Sequence, residues 1–154
     1  MEFDFITDRT AKDVLEAQTI LSKVQSGQEL TDAENEKLLN GLRGCYNISD
    51  INRVVSAIKH ISNLLEIDIA ELQSVENQDF FSNSDWQKYL NIIRILRQYV
   101  TLPSNTPQAP ISLFVSNAHE RANDIEKILV QLEQYIPLMI NAYYYSGEIY
   151  AGEV

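Results

Sequence analysis

Residues 49–65 decide the fold of this chain, and they read SDINRVVSAIKHISNLL. Large aliphatic side chains recur here at i, i+3, i+4, i+7, i+10 and i+14: Ile51, Val54, Val55, Ile58, Ile61 and Leu65. Polar residues fill the positions between them, so a helix over this stretch has one apolar stripe facing a core and a polar face toward water. Because Ser49 and Asp50 are good capping residues, we predict that the helix begins there.

Two capping boxes predict an αα-hairpin before this helix. Thr10-Ala11-Lys12-Asp13 opens a helix over about 11–26, which ends at Gly27. Thr31-Asp32-Ala33-Glu34 is the second capping box, and it begins a short helix that ends near Leu42, with Gly44 as its stop. The five residues between them are short enough for an antiparallel pair.

Two more helices are predicted after residues 49–65. Ser84 to Gln87 form another capping box. The helix that follows has one apolar face, formed by Trp86, Tyr89, Leu90, Ile93, Leu96 and Val100. A second apolar strip consists of Ile92, Ile95 and Tyr99. We therefore expect this helix to be central and covered on two sides. Three prolines make residues 101–115 an extended crossover. Ser116 or Asn117 then caps a long final helix with Pro137 inside it.

These elements predict an all-α protein, a bundle of about five helices. The length of 154 residues matches one domain, which we assign to residues 1–142. Residues 143–154 form an aromatic C-terminal tail. Gly147 and Gly152 weaken a helix by roughly 1 kcal/mol each relative to alanine. We therefore predict that residues 146–154 are not helical.

An internal repeat is one of two open interpretations of the helix pattern. Residues 49–55 align with residues 123–129, 74 positions later. Two pseudo-repeated helical units would explain this, and so would chance similarity between two amphipathic helices. The repeat predicts approximate two-fold symmetry and direct packing between the helices that begin near Ser49 and Asn117. The side chains expected at that contact are Val54, Ile58, Ile128 and Leu132.

Charge limits the classes of partner. Twelve basic and 22 acidic residues give a net charge of −10. Nucleic acid and acidic membrane surfaces both attract Lys and Arg, so neither is an expected partner. No apolar stretch approaches the ~20 residues of a membrane span. The same charge would suit an acidic inhibitor, or an immunity or antitoxin-type protein that binds a basic partner.

The sequence predicts no enzyme. His60 and His119 lack a second ligand at metal-site spacing, and the five glycines form no phosphate-binding loop. Cys45 is the only cysteine and is expected to be a half-buried structural thiol. We therefore assign no catalytic, cofactor-binding or metal-binding residues and expect no cofactor.

The most unusual segment is the tail. Four of the eight tyrosines lie between residues 143 and 150. Tyrosine provides a large contact area at low entropic cost, so we assign protein-interaction roles to Tyr144, Tyr145, Ile149 and Tyr150. The alternative is that some of these side chains pack on the chain's own core.

Four stretches together resemble an uncharacterised module of phages and prophages of Firmicutes, often encoded among tail or other virion genes. They are residues 5–14, 41–54, 122–129 and 146–153. The resemblance implies a non-enzymatic structural or adaptor role on a virion, with a tail-associated position. It further implies that the protein is made in the host cytoplasm and contacts other virion or tail proteins and a second copy of itself. The resemblance supplies no catalytic residues.

Overall fold

Five helices make up the fold in the computed structural model, which describes residues 3–68, 83–113 and 117–152. Side chains are described for residues 3–68, 85–113 and 117–142. The helices are α1 (Ala11–Gln25), α2 (Asp32–Asn40), α3 (Ile48–Leu64), α4 (Asn83–Tyr99) and α5 (Ala118–Gly152). No strand occurs within the described ranges. The prediction of an all-α bundle with about five helices is confirmed.

Side-chain caps fix the first two helices where the sequence places them. The Asp13 N–H donates to Thr10 Oγ1 (3.3 Å), and the Thr10 N–H donates to Asp13 Oδ2 (2.8 Å). Thr31 and Glu34 repeat this reciprocal pair at the start of α2. Each pair satisfies backbone donors that the first helical turn leaves without partners.

Two helices begin slightly earlier than predicted. The N-cap of α3 is Asn47 rather than Ser49 or Asp50. Asp50 is instead the third residue of the helix, and its carboxylate accepts a hydrogen bond from the Asn47 N–H at 2.8 Å. Helix α4 begins at Asn83, one residue before the predicted cap Ser84.

The main core lies between α3, α4 and α5, which contact one another in all three pairs. The predicted contact between α3 and α5 is confirmed, and the four side chains named for it are fully buried in this core: Val54, Ile58, Ile128 and Leu132. Two-fold symmetry between the halves of the chain stays a prediction.

Helix α4 buries its first apolar face as predicted, apart from half-buried Trp86. On the second strip Ile92 is buried, but Ile95 and Tyr99 are 37% and 58% exposed. The crossover also packs on this helix, where Arg97 donates to two of its carbonyl groups. The expected cover on a second side is therefore partial.

The α1–α2 hairpin has a small core of its own. Ala17, Ile20 and Leu42 are buried together, apart from the main core. None of the nine residues of α2 is fully buried. Ion pairs between Lys23 and Glu34 and between Lys37 and Glu16 join the two antiparallel helices. The predicted hairpin is confirmed.

The C-terminal segment differs from its prediction. Helix α5 continues to Gly152, so residues 146–152 are helical, and residues 153–154 lie outside the described part of the chain. Extending an existing helix needs no new nucleation, so it is less unfavourable than starting one. The roughly 1 kcal/mol cost of each of Gly147 and Gly152 does not stop this extension.

Candidate functional site

An irregular segment before α1, which we call the N-terminal strap (residues 3–10), is held against α5. The Arg9 N–H donates to Asn123 Oδ1 (3.0 Å), and Asn123 Nδ2 donates to the Arg9 carbonyl (2.9 Å). The Ile6 N–H donates to Glu126 Oε2 (2.7 Å). Two side chains of α5, one turn apart, therefore satisfy the backbone of a segment more than a hundred residues away in the sequence.

Where the strap meets α3 and α5 lie four charged residues, which we call the charge cluster: Arg9, Asp50 and Glu126, which are buried, and Arg53, which is partly buried. Arg9 Nη2 lies 3.1 Å from Asp50 Oδ1 and 2.8 Å from Glu126 Oε1. Arg53 Nη2 contacts the same two oxygens, at 2.7 and 2.9 Å. Two guanidinium groups thus share two carboxylates, so the formal charges cancel within the cluster.

Burial makes this pairing obligatory. Arg9 is 4% exposed and Glu126 is fully buried. An ionised carboxylate or guanidinium is stable in such surroundings only when its charge and hydrogen bonds are both satisfied. Glu126 meets this requirement with donors from the strap and from both arginines.

The protonation of Asp50 is set by opposing effects. Burial raises the pKa of its carboxyl group. Hydrogen bonds from the Asn47 backbone, from Arg53 and from the Asn47 side chain, together with the charge of Arg9, lower that pKa and outweigh burial. The pKa of Asp50 therefore lies below its ordinary value, and the carboxylate form is stabilised.

Three aromatic rings lie beside the charge cluster. The rings of Tyr46 and Trp86 are 5.8 Å apart between centroids, and those of Trp86 and Tyr89 are 5.5 Å apart. The two tyrosine hydroxyls are 2.6 Å apart, and burial raises the pKa of both. The Arg9 guanidinium lies 5.7 Å from the centroid of the Tyr46 ring, a cation–π distance.

A cavity of about 220 Å³ opens between this aromatic group and the first turn of α5. Five parts of the chain contribute to its wall: the strap, the α2–α3 loop, α4, the crossover and α5. The described lining residues are Arg9, Gly44, Cys45, Tyr46, Trp86, Leu113, Ala118, His119 and Ala122. The small side chains in this lining leave the cavity open, and its walls are formed by the aromatic rings and by Arg9.

The residues that were singled out in the sequence do not all lie at this cavity. Tyr144, Tyr145, Ile149 and Tyr150 lie within the helical backbone of α5, and their side chains lie outside the described part of the structure. Cys45 is half-buried, as predicted, and burial raises the pKa of its thiol. His119 lines the cavity, whereas the ring of His60 packs edge-on against Phe3 at 5.8 Å.

The charge cluster was not predicted. Asp50 was predicted only as a helix cap and Arg53 only as a polar position of the repeat, and their aligned counterparts Asp124 and Lys127 are not members. Glu126 aligns with Asn52 instead. One signal in the sequence does coincide with the cluster. Three of the four stretches that carry the resemblance to the phage module, residues 5–14, 41–54 and 122–129, supply all four of its residues.

Comparison with protein-family models, with curated proteins and with solved structures found no match to this chain. Within the described residues, no three His, Cys, Asp or Glu side chains are grouped so that they could hold a metal ion. None of the described helices is both long and apolar enough to span a bilayer.

Proposed function

We propose that this chain is a non-enzymatic structural or adaptor protein of a phage particle, associated with the tail, which acts through protein–protein contacts. Its partners are other virion proteins and a second copy of itself. It is made in the host cytoplasm and resides on the virion. The resemblance of four stretches to the phage module supports the particle, and the geometry of α5 supports the mode of action.

The length of α5 carries the proposed mode of action. Ile136 is its last fully buried residue among the described side chains, yet the helix continues for 16 more residues to Gly152. At 1.5 Å per residue this continuation is about 24 Å long. Leu138 and Met139 on its first turn are 61% and 40% exposed. Ile140 still packs against the main core, so Leu138 and Met139 lie at its edge on the side away from it. Exposed apolar side chains of this kind are typical of a surface that docks on a partner.

The tyrosines fit this mode of action. Tyr144, Tyr145 and Tyr150 follow Leu138 and Met139 on the same helix. Tyrosine is enriched at the centres of protein interfaces because its rigid ring buries much area and its hydroxyl keeps a hydrogen bond. We propose that the continuation of α5 is the interaction surface.

Mass spectrometry of purified phage particles tests the proposed location. We expect the protein to be present in stoichiometric amounts with tail proteins. Its absence from particles, when it is abundant in infected cells, would refute the proposal.

Light scattering over a concentration series tests the proposed surface. We expect the intact chain to form a larger species, and a triple variant Tyr144→Ser, Tyr145→Ser, Tyr150→Ser to remain monomeric. Tyr99→Ser, at an exposed tyrosine of α4, is the control and should assemble like the unmodified chain. Equal monomeric masses for all three proteins would exclude self-association.

A further inference from the structure

We propose that a groove between α4 and the crossover binds helix α2 of a second copy of this chain, in a head-to-tail contact. We call this groove, which lies between the outer face of α4 and residues 109–111, the α4 groove. The contact is separate from the continuation of α5, and the inference does not rest on the proposed phage function.

The α4 groove has a volume of about 430 Å³ and opens to solvent. Its wall on the crossover ends in Ile111, which is 88% exposed, the largest value for a big apolar side chain among the described residues. Arg97 holds the crossover on α4, because it donates to the carbonyl groups of Pro107 (2.7 Å) and Thr106 (3.0 Å). The groove is therefore a fixed part of the fold, with an apolar edge that nothing in the described structure covers.

The α4 groove is positively charged in an acidic chain. Lys88 and Arg94 line it and are exposed, and neither forms an ion pair with a described residue. Arg94 donates to the side chain of Asn91 on its own helix. None of the described lining residues is acidic, although the chain contains 22 acidic residues. An occupant that matches this groove carries carboxylates beside an apolar side chain.

Helix α2 presents such a surface, which we call the outer stripe. It consists of Asp32, Asn35, Glu36 and Leu39, spaced at i, i+3, i+4 and i+7 and all exposed. Leu39 is 87% exposed, second only to Ile111, whereas Leu38 packs on the hairpin core. Asp32 and Glu36 form no ion pair with a described residue. The two most exposed large apolar side chains of the described chain thus lie beside opposite charges.

The two surfaces match in length. Along their helix axes, Asp32 and Leu39 are about 10 Å apart, and Lys88 and Arg94 about 9 Å apart. Leu39 can therefore lie against Ile111 while the two carboxylates lie beside the two cations. The net charge of −10 on each copy opposes this contact. At physiological ionic strength, however, charges more than about 8 Å apart are largely screened, so the close opposite pairs dominate.

This contact is heterologous, because the α4 groove and the outer stripe are different surfaces of one chain. Repeated contacts of this type produce rings or filaments rather than a closed pair. A single short helix buries little area, which is typical of weak and transient contacts. Light scattering at micromolar concentration therefore reports on α5 alone. The α4 groove fills when copies are held together at millimolar effective concentration.

Two complementary variants of the full chain test the proposal by nuclear magnetic resonance. The groove variant, Lys88→Glu with Arg94→Glu, keeps the outer stripe. The stripe variant, Glu36→Lys with Leu39→Ser, keeps the α4 groove. All four positions are exposed, so we expect both variants to fold. Every protein in the experiment also carries the three tyrosine-to-serine substitutions, so that the continuation of α5 contributes to none of the results.

Mixing the two variants restores one complete contact. When the isotope-labelled stripe variant is titrated with the unlabelled groove variant, we expect saturable shifts of the Asn91 and Ile111 backbone amides. The unlabelled stripe variant, as the alternative titrant, should bind at least about tenfold more weakly, since it lacks Glu36 and Leu39. Leu15→Ser in the groove variant is the control for lost apolar surface. Leu15 is 63% exposed on α1, outside the outer stripe, so the affinity should not change.

Three results would overturn the proposal. One is the absence of a saturable shift when the two variants are mixed. Another is equal affinity of the two titrants, which would remove the role of the outer stripe. The third is a set of shifts confined to residues outside the α4 groove, which would place the contact elsewhere. Because α5 is altered in every sample, these results are independent of the light-scattering test of its continuation.

Discussion

At the scale of single residues, Arg9 connects the strap to both α3 and α5. Its backbone bonds to Asn123, and its guanidinium reaches Asp50 and Glu126. A buried ion pair is often no more stabilising than apolar residues of the same shape, because both ions lose their hydration. Removing one partner is different, since the remaining charge then stays buried without compensation.

Replacing Arg9 should therefore be costly. We expect Arg9→Ala to lower the free energy of unfolding by about 3–5 kcal/mol, as measured by urea denaturation. Arg43→Ala is the matched control. Arg43 pairs with Asp8 and Asp13 but is half exposed, so its loss should cost less than about 1 kcal/mol. Equal losses for the two variants would contradict a special role for the charge cluster.

The aligned carboxylates Asp50 and Asp124 should respond to pH in opposite ways. Hydrogen bonds to Asn47 and Arg53 outweigh burial and lower the pKa of Asp50. At Asp124 burial outweighs the attraction of Lys127 and Arg121 and raises the pKa. Ionised Asp50 therefore stabilises the fold above its ordinary pKa of 3.8, and this stability is lost as the pH falls through the lowered value. Ionisation of Asp124 instead costs stability as the pH rises through its raised value.

The same substitution, aspartate to asparagine, at each of the two positions separates the two effects on stability. At pH 7 we expect Asp50→Asn to destabilise the protein by about 1–3 kcal/mol, because buried donors lose a charged acceptor. Asp124→Asn should stabilise it by about 0.5 kcal/mol, a small gain because solvent screens this half-buried group. Both differences should shrink as the pH falls: that of Asp124→Asn from its raised pKa downward, and that of Asp50→Asn below 3.8, where the unfolded chain binds more protons than the native one. Urea titrations at several pH values measure them, and the same sign for both variants at pH 7 would contradict the assignment.

At the scale of elements, Gly44 fixes how the α2–α3 loop meets α1. A Cβ atom at this position would lie 2.1 Å from the Asp13 carbonyl oxygen and 2.6 Å from the Val14 Cα. Both obstacles are backbone atoms, so they cannot move aside as a flexible side chain would. From the sequence, Gly44 was predicted only as a helix stop. Its close contact with α1 adds a packing reason for glycine.

Gly44→Ala should force the loop away from the start of α1. We expect a loss of about 1–3 kcal/mol in the free energy of unfolding, the range for inserting a methyl group where there is no space. Gln28→Ala, at an exposed position in the α1–α2 turn, should change stability by less than about 0.5 kcal/mol. Thermal denaturation of both variants measures the difference, and an unchanged midpoint for Gly44→Ala would exclude the close approach.

Local pattern explains which elements could be predicted from the sequence. Thr10 and Thr31 begin helices because their partners, Asp13 and Glu34, are three residues away, and such short-range pairs are visible in the sequence. Helix α3 was placed two residues late because Asp50 resembles a cap when its hydrogen bond to Asn47 is unknown. The predicted end of α5 was wrong because the low helix propensity of glycine is a weak guide when the helix before it is long.

The charge cluster could not be predicted in the same way. Arg9 and Glu126 are 117 positions apart, and no periodicity links a strap residue to a side chain of the last helix. In the sequence Glu126 occupies a polar position between Ile125 and Lys127. Burial of a glutamate is exceptional unless it is paired, and nothing near Glu126 in the sequence indicates its partners.

At the scale of the whole molecule, two cores of unequal size should give unequal local stability. Among the described residues, the core between α3, α4 and α5 contains 18 buried apolar residues, and the core of the hairpin contains three. Local opening requires least free energy where few apolar contacts are broken. We expect amide hydrogens of α1 and α2 to exchange with deuterium at least about tenfold faster than those of α3.

Hydrogen exchange measured by mass spectrometry tests this expectation. Arg9→Ala should further increase exchange in α1, because α1 directly follows the strap, while exchange in the middle of α4 should change in proportion to global stability alone. Uniform exchange across the five helices would contradict the division into two cores.

The distance in sequence between the strap and Asn123 has a consequence for synthesis. At about 5–20 residues per second, the 114 residues that separate Arg9 from Asn123 take roughly 6–23 s to translate. Throughout that interval the strap lacks its partner Asn123, and Asp50 and Arg53 are synthesised before their partner Glu126. The contacts of the strap with α5 therefore form late. Substitutions in the strap should accordingly change the rate of unfolding far more than the rate of folding.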